Sequence, residues 1–266
     1  WDNSVLSKRI ISWILNVDII LNNGMFEFKK NFLATLVSQT NHLKKNIKFE
    51  ENSSRRIEII TAVLLSGLVF KEYKENYNIS IKDLEKLVKN YFDEDGFPVS
   101  RSPSELIFFS KYLILCKECI RDAQQYVPEF LETTIDKNLI CIKSILTPDY
   151  QVPLFNGGKE ENLYEFNKFL NNLNYNIKDK KDLVGGVQSF KLKNNIVFFD
   201  IGDPPSKVFS KNYQSGPLSF EYYADSKKII TNCGFGNNIS SKAELLSRLT
   251  SAQSTLTLND TSVTSF

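Results

Sequence analysis

The chain has 266 residues, 42% of them hydrophobic and 24% charged, which is enough apolar material for a sizeable core and enough length for two domains. Its 33 basic and 31 acidic residues leave a net charge of +2, so no global field argues for nucleic acid. A single histidine, His42, leaves almost no material for imidazole catalysis or an imidazole metal site.

Residues 1 to about 180 read as helical, from apolar residues recurring at helical intervals. "VLSKRIISWILNVDIILNN" is one predicted helix, stopping near Asn22-Asn23-Gly24, and "FEFKKNFLATLVSQTNHLKKNI" is a second. "SSRRIEIITAVLLSGLVF" is a third, with Ser53 or Ser54 as N-cap. "SIKDLEKLVKNYFDEDG" is a fourth, capped by Ser80 and Asp83 and stopped by Gly96. "SPSELIFFSKYLILCKECIRDAQQYV" opens with Pro103 near its first turn. "PEFLETTIDKNLICIKSIL" and "NLYEFNKFLNNLN" complete the series, joined by short loops that make neighbours antiparallel. Cys116 and Cys119 form a CxxC inside an apolar helical run and read as buried thiols.

The period changes near residue 183. "VQSFKLKNNIVFFDIG" alternates, "LSFEYYADSKKIITNCG" is a hairpin turning at Asp225-Ser226, and "STLTLND" is a further strand. Helices followed by strands argue for a multidomain α+β chain with a helical part at 1–180 and a β part at 184–266. The lysine-rich "NIKDKKDL" (176–183) reads as a linker or as a solvated helix end. The longest apolar runs are short and carry Asp18 and Glu58, so no transmembrane segment is expected. The chain starts at Trp1 with no signal peptide, which reads as a fragment boundary.

Several blocks carry a resemblance. "LSFEYYADSKKIITNCG" followed by "AQSTLTLNDTS", together with "DEDGFPVSRSPSELIFF" and "VPLFNGG", resembles the heparinase II/III-like family of polysaccharide lyases from about residue 50 to the end. The resemblance implies an incomplete α/α toroid followed by the start of an antiparallel β-sandwich, here cut short. It implies β-elimination on a uronate-containing acidic polysaccharide bound in a cleft, with the periplasm or cell envelope as compartment. As an alternative it allows a non-catalytic glycan-binding relative that has lost the lyase residues and the zinc site.

Anchored on Leu218-Ser219-Phe220-Glu221, the family's sandwich catalytic His falls on Asn212. Its zinc ligands fall on Gln214, Asn232 and Gln253, and the Asp of its His-x-His-x-Asp element falls on Gly216. The loop tyrosine falls on or beside Phe155, and the toroid polar residue within Ser100-Arg101-Ser102. Neutral amides are poor zinc ligands, so no cofactor is expected. The three amides either form a metal-free polar cluster or face solvent.

Candidate catalytic residues are Arg101, Asn156, Asn212 and Tyr213. Arg101 has the fork to grip a uronate carboxylate, or it pairs with Glu105 one helical turn on. Tyr213, ahead of Tyr150 and Tyr164, stands in for the missing tyrosine, or each is a partly buried aromatic. His42 reads as a packing or surface residue. "GFGNN" (234–238) is not read as a phosphate loop, because no helix with the right spacing is expected after it.

Overall fold

The computed structural model describes residues 2–22, 24–175, 179–259 and 261–263. Asn23 at the predicted end of the first helix, residues 176–178 of the predicted linker and Asp260 of the predicted last strand lie outside the described residues. The chain folds as two compact units, Trp1–Asn90 with Lys111–Thr133, and Tyr91–Ser110 with Thr134–Phe266.

The first unit is helical. It contains α1 (Asn3–Leu15), α2 (Val17–Leu21), α3 (Phe26–Asn46), α4 (Ser53–Val69), most of α5 (Lys74–Tyr91) and the C-terminal half of α6 (Pro103–Asp122). Asp2 caps α1 by accepting from the Val5 amide at 3.0 Å. The predicted first helix is broken at Asn16, whose backbone leaves the helical region and whose side chain donates to the Ser12 carbonyl at 2.8 Å. Helix α4 is buried without a break from Ile57 to Gly67 and packs against α1 and α3, as expected of a helix apolar on every side. Its cap is Asn52, which accepts from the Arg55 amide at 3.1 Å, and not Ser53 or Ser54.

Helix α5 begins at Lys74, so Ser80 is a buried interior residue and not a cap. The polar lead "KENYNI" hid this start, because Asn76 is buried against the Ser66 hydroxyl at 3.2 Å. Gly67 allows the close crossing of α4 and α5, since a Cβ there would stand 2.3 Å from the Tyr77 nitrogen. Cys116 is fully buried, with its sulfur 3.4 Å from the Thr61 hydroxyl. Burial pushes the thiols of Cys116 and Cys119 up to about 12 and about 11, the opposite of a reactive pair.

The second unit joins the first turns of α6, the latter part of α7 (Glu129–Ile145) and α8 (Tyr164–Asn172) with a five-stranded sheet. The strands are β1 (Leu183–Val184), β2 (Val187–Leu192), β3 (Asn195–Asp200), β4 (Phe220–Ala224) and β5 (Lys227–Ile230), antiparallel and paired in chain order. The hairpin turn at Asp225-Ser226 is as predicted, with both residues left-handed at φ 48° and 64°. Gly185-Gly186 turns β1 into β2, and a Cβ on Gly185 would stand 2.2 Å from the Phe97 ring.

Two elements differ from expectation. Helix α9 (Ser241–Arg248), capped by the Ser240 hydroxyl at 3.1 Å from the Ala243 amide, was hidden by its polar composition. It follows "GFGNN", after which no helix with the spacing of a phosphate loop was expected. "STLTLND" is not a strand in its described residues. The Phe220 amide reaches the Ser254 carbonyl at 3.3 Å, Leu258 bridges only Thr261, and Leu256 and Leu258 are exposed. Its alternation finds no ladder among the described strands.

Alternation along the sheet sends Ile196, Phe198 and Asp200 of β3, and Glu221 and Tyr223 of β4, into the core. Phe198 and Tyr223 meet edge to face at 5.8 Å. The Glu221 carboxylate is fully buried and accepts from the Leu154 amide at 3.2 Å, the Asn232 amide at 3.0 Å and the Tyr223 hydroxyl at 2.6 Å. It thereby ties the 152–158 loop to the end of the hairpin. Glu221→Ala strips two buried amides of their acceptor and should cost about 3–5 kcal/mol, read as a lower unfolding midpoint. Glu221→Gln keeps an oxygen for both amides and should cost less than half of that.

Candidate active site

The link from α5 to α6 supplies the first group. Asp93 organises it by accepting from the Phe97 amide at 2.8 Å and the Asp95 amide at 3.0 Å. Arg101 follows in the left-handed region at φ 61°, a costly conformation for a non-glycine residue, and its amide donates to the Pro98 carbonyl at 2.8 Å. Its guanidinium fills a socket at the end of the sheet. Nε donates to the Gly185 carbonyl at 3.1 Å, and Nη1 donates to the carbonyls of Gly202 at 2.8 Å and Asp203 at 3.1 Å. Nη2 closes an ion pair with Asp200. Glycine is required around it, since a Cβ on Gly186 or Gly202 would stand 2.5 Å from the guanidinium.

The other carboxylate oxygen of Asp200 accepts from Asn156 Nδ2 at 3.0 Å. One buried carboxylate therefore holds Arg101, before α6, and Asn156, in the loop after α7. Asn156 and Gly157 are both left-handed, at φ 49° and 83°. A Cβ on Gly157 would stand 2.8 Å from the Asn212 Cβ, so the loop lies directly on the 212–216 segment.

Glu105, in the first turn of α6, is half-buried and forms the second cluster. One oxygen accepts from the hydroxyls of Tyr91 and Ser100, and the other from Asn212 Nδ2 at 3.3 Å. Burial, reinforced by the Glu105 charge, pushes the Tyr91 phenol far above its ordinary value. Beside Asn212, Tyr213 is buried and its phenol is also raised. Burial is the main cause, the Asp200 charge adds to it and the Arg101 charge opposes it.

The three amides are held too. Gln214 is buried, accepts from the Gly157 amide at 3.0 Å and donates to the carbonyls of Gly234 and Ser247, both at 2.9 Å. Asn232 is buried and accepts from the Ser254 amide at 2.9 Å. Gln253 donates to the same Ser247 carbonyl at 2.8 Å.

Known families and folds fit this arrangement. The sequence matches "Heparinase II/III N-terminus" over residues 6–183 and "Heparinase II/III-like, C-terminal" over residues 178–266. The chain belongs to the heparinase II/III family. No curated protein matches it at the level of sequence. Its fold matches that of heparinase III at 14% identity with a TM-score of 0.81, covering 98% of this chain and 48% of that one. It also matches heparan sulfate lyase HepC from Pedobacter heparinus at 19% identity with a TM-score of 0.75, covering 98% of this chain and 46% of that one. The chain thus spans about half the length of these solved relatives. The helical region followed by an antiparallel sheet is the family architecture of toroid and sandwich start.

Against the family pattern, Arg101, Asn156, Asn212 and Tyr213 all fall in one compact unit of this heparinase II/III chain. Arg101 pairs with Asp200 and not with Glu105, which is held instead by Tyr91, Ser100 and Asn212. With three carbonyls and a carboxylate on its guanidinium, Arg101 is anchored in the protein and not presented to a ligand. Phe155 is buried, and Tyr150 packs on Tyr164 at 5.4 Å between ring centres. Among the described residues no group of three or more His, Cys, Asp or Glu could hold a metal ion.

Asp200 and the Glu105 contacts escaped sequence reading. A signal for Asp200 existed: it continues the inward register of Ile196 and Phe198, and an inward carboxylate demands a buried partner. Arg101→Lys replaces a fork that makes four bonds by a point charge. It should lower stability by about 3–5 kcal/mol, read as a fall in the unfolding midpoint, and Asp200→Ala should match it within about 1 kcal/mol.

Proposed function

We propose that this heparinase II/III family member is a lyase that cleaves uronate-containing acidic polysaccharide by β-elimination. The contact that carries the reading is Asn212 Nδ2 on Glu105 at 3.3 Å, which joins the helical and pre-strand segments from which the resemblance draws the chemistry. In the elimination a base removes the proton at C5 of the uronate. The electron pair left behind forms the C4–C5 double bond, the C4–oxygen bond breaks, and the leaving oxygen takes up a proton. Glu105 is the base in this reading, as the half-buried carboxylate beside Asn212; Asp200 is committed to Arg101 and Asn156. Asn212 hydrogen-bonds the substrate carboxylate with its second amide hydrogen.

Tyr213 supplies the proton to the leaving oxygen. Burial raises its pKa, so the phenol holds the proton that a general acid must give up, though with a weaker drive to transfer it than an unshifted phenol. By the same resemblance the enzyme works in the periplasm or cell envelope. No helix among the described residues is long and apolar enough to cross a membrane.

A second reading is a glycan-binding relative that no longer eliminates. It is favoured by the anchored Arg101 and by the buried Phe155 on or beside the tyrosine position. Incubation with heparan sulfate, alginate and related uronates separates the two. Elimination yields the ultraviolet absorbance of the unsaturated product, and binding without product supports the second reading. Tyr213→Phe should lower the rate about 100-fold or more. The wild-type rate should hold as pH rises towards about 10, the ordinary value of a tyrosine, and a decline setting in near neutrality would remove Tyr213 as the acid.

A further inference from the structure

Gln214 and Gln253 aim their amide nitrogens at one acceptor, the Ser247 carbonyl near the C-terminus of α9. Carbonyls in the last turn of a helix have no intrahelical partner, so this one is open to two donors. Gln214 gives its other amide hydrogen to the Gly234 carbonyl, and its oxygen takes the Gly157 amide. Asn232 takes the Ser254 amide on its oxygen and donates to Glu221 at 3.4 Å. The 156–158 loop, the end of the β4–β5 hairpin, α9 and the 253–254 segment therefore converge on three neutral side chains.

Gly216 makes room for this. A Cβ there would stand 3.0 Å from Gln253 Cγ, and glycine occupies the position where the resemblance expects an aspartate. A zinc ion needs lone pairs from imidazole, thiolate or carboxylate converging on one centre. Here the converging atoms of Gln214 and Gln253 are N–H donors bound to a carbonyl, the Asn232 oxygen is taken by the Ser254 amide, and the N–H groups present the wrong polarity to a cation. Cys233 Sγ, 3.9 Å from Gln253 Nε2, donates to the Gly234 carbonyl at 3.1 Å. These residues do not fit the metal that the resemblance implies.

We propose that the zinc position of the family is, in this protein, a metal-independent amide lock centred on the Ser247 carbonyl, which fixes the loop that carries Asn156. The lock is separate from the question of catalysis and holds for either functional reading.

The test uses the whole chain, purified without chelator. Metal analysis should find zinc well below one ion per chain, and the thermal midpoint should be the same in EDTA and in added zinc. Gln214→Glu removes both donors to the Gly234 and Ser247 carbonyls and should lower the midpoint by several degrees, with no recovery in zinc. Gln253 is half-buried, so Gln253→Ala should fold, with a smaller loss that is equally indifferent to chelator. Stoichiometric zinc together with a midpoint that falls in EDTA would overturn the proposal. So would a Gln253→Ala protein as stable as the wild type.

Discussion

A single buried carboxylate, Asp200, sets the geometry of the site. It lies at the end of β3 on the inward face, where an unpaired charge would be costly. One oxygen takes the guanidinium of Arg101 and the other takes the amide of Asn156. Those two residues come from separate loops, and both adopt left-handed backbone that neither would choose alone. The two strained loops are fixed to one strand end by the same group, which is how the surrounding structure holds such conformations in place.

Further buried groups extend this hold along the 152–158 loop. Glu221 takes the Leu154 amide, Asp200 takes the Asn156 side chain and Gln214 takes the Gly157 amide. Glu221 and Asp200 sit on strands and Gln214 in the segment that leads into β4, so the sheet and its lead-in hold the loop. Glu105 and Asn212 then meet beside it, with Tyr91 and Ser100 saturating the far side of the Glu105 carboxylate. The other Glu105 oxygen takes the Asn212 amide, and Tyr213 is the next residue along the chain.

The helices were legible because apolar periodicity is a local property, and the Asp225-Ser226 hairpin because its turn chemistry is. The resemblance singled out Arg101, Asn156, Asn212 and Tyr213, which fall in one compact unit. What stayed hidden was set by tertiary partners. Arg101 has a suitable neighbour at Glu105, yet its actual partner lies across the sheet at Asp200, and three of its bonds go to carbonyls that no side-chain pattern reveals. The start of α5 was masked because Asn76 is buried against Ser66, and α9 because few of its residues are apolar. "STLTLND" misled in the other direction: alternation marks a strand only where a neighbour completes the ladder.

Amide hydrogen exchange in the 152–158 loop tests the hold of the sheet on this loop most directly. In the wild type, the Leu154 and Gly157 amides should exchange as slowly as core amides of the sheet. In Glu221→Ala, Leu154 should lose far more protection than Gly157, which Gln214 still holds. Exchange of both amides at unstructured rates in the wild type, or equal loss at both positions in Glu221→Ala, would contradict it.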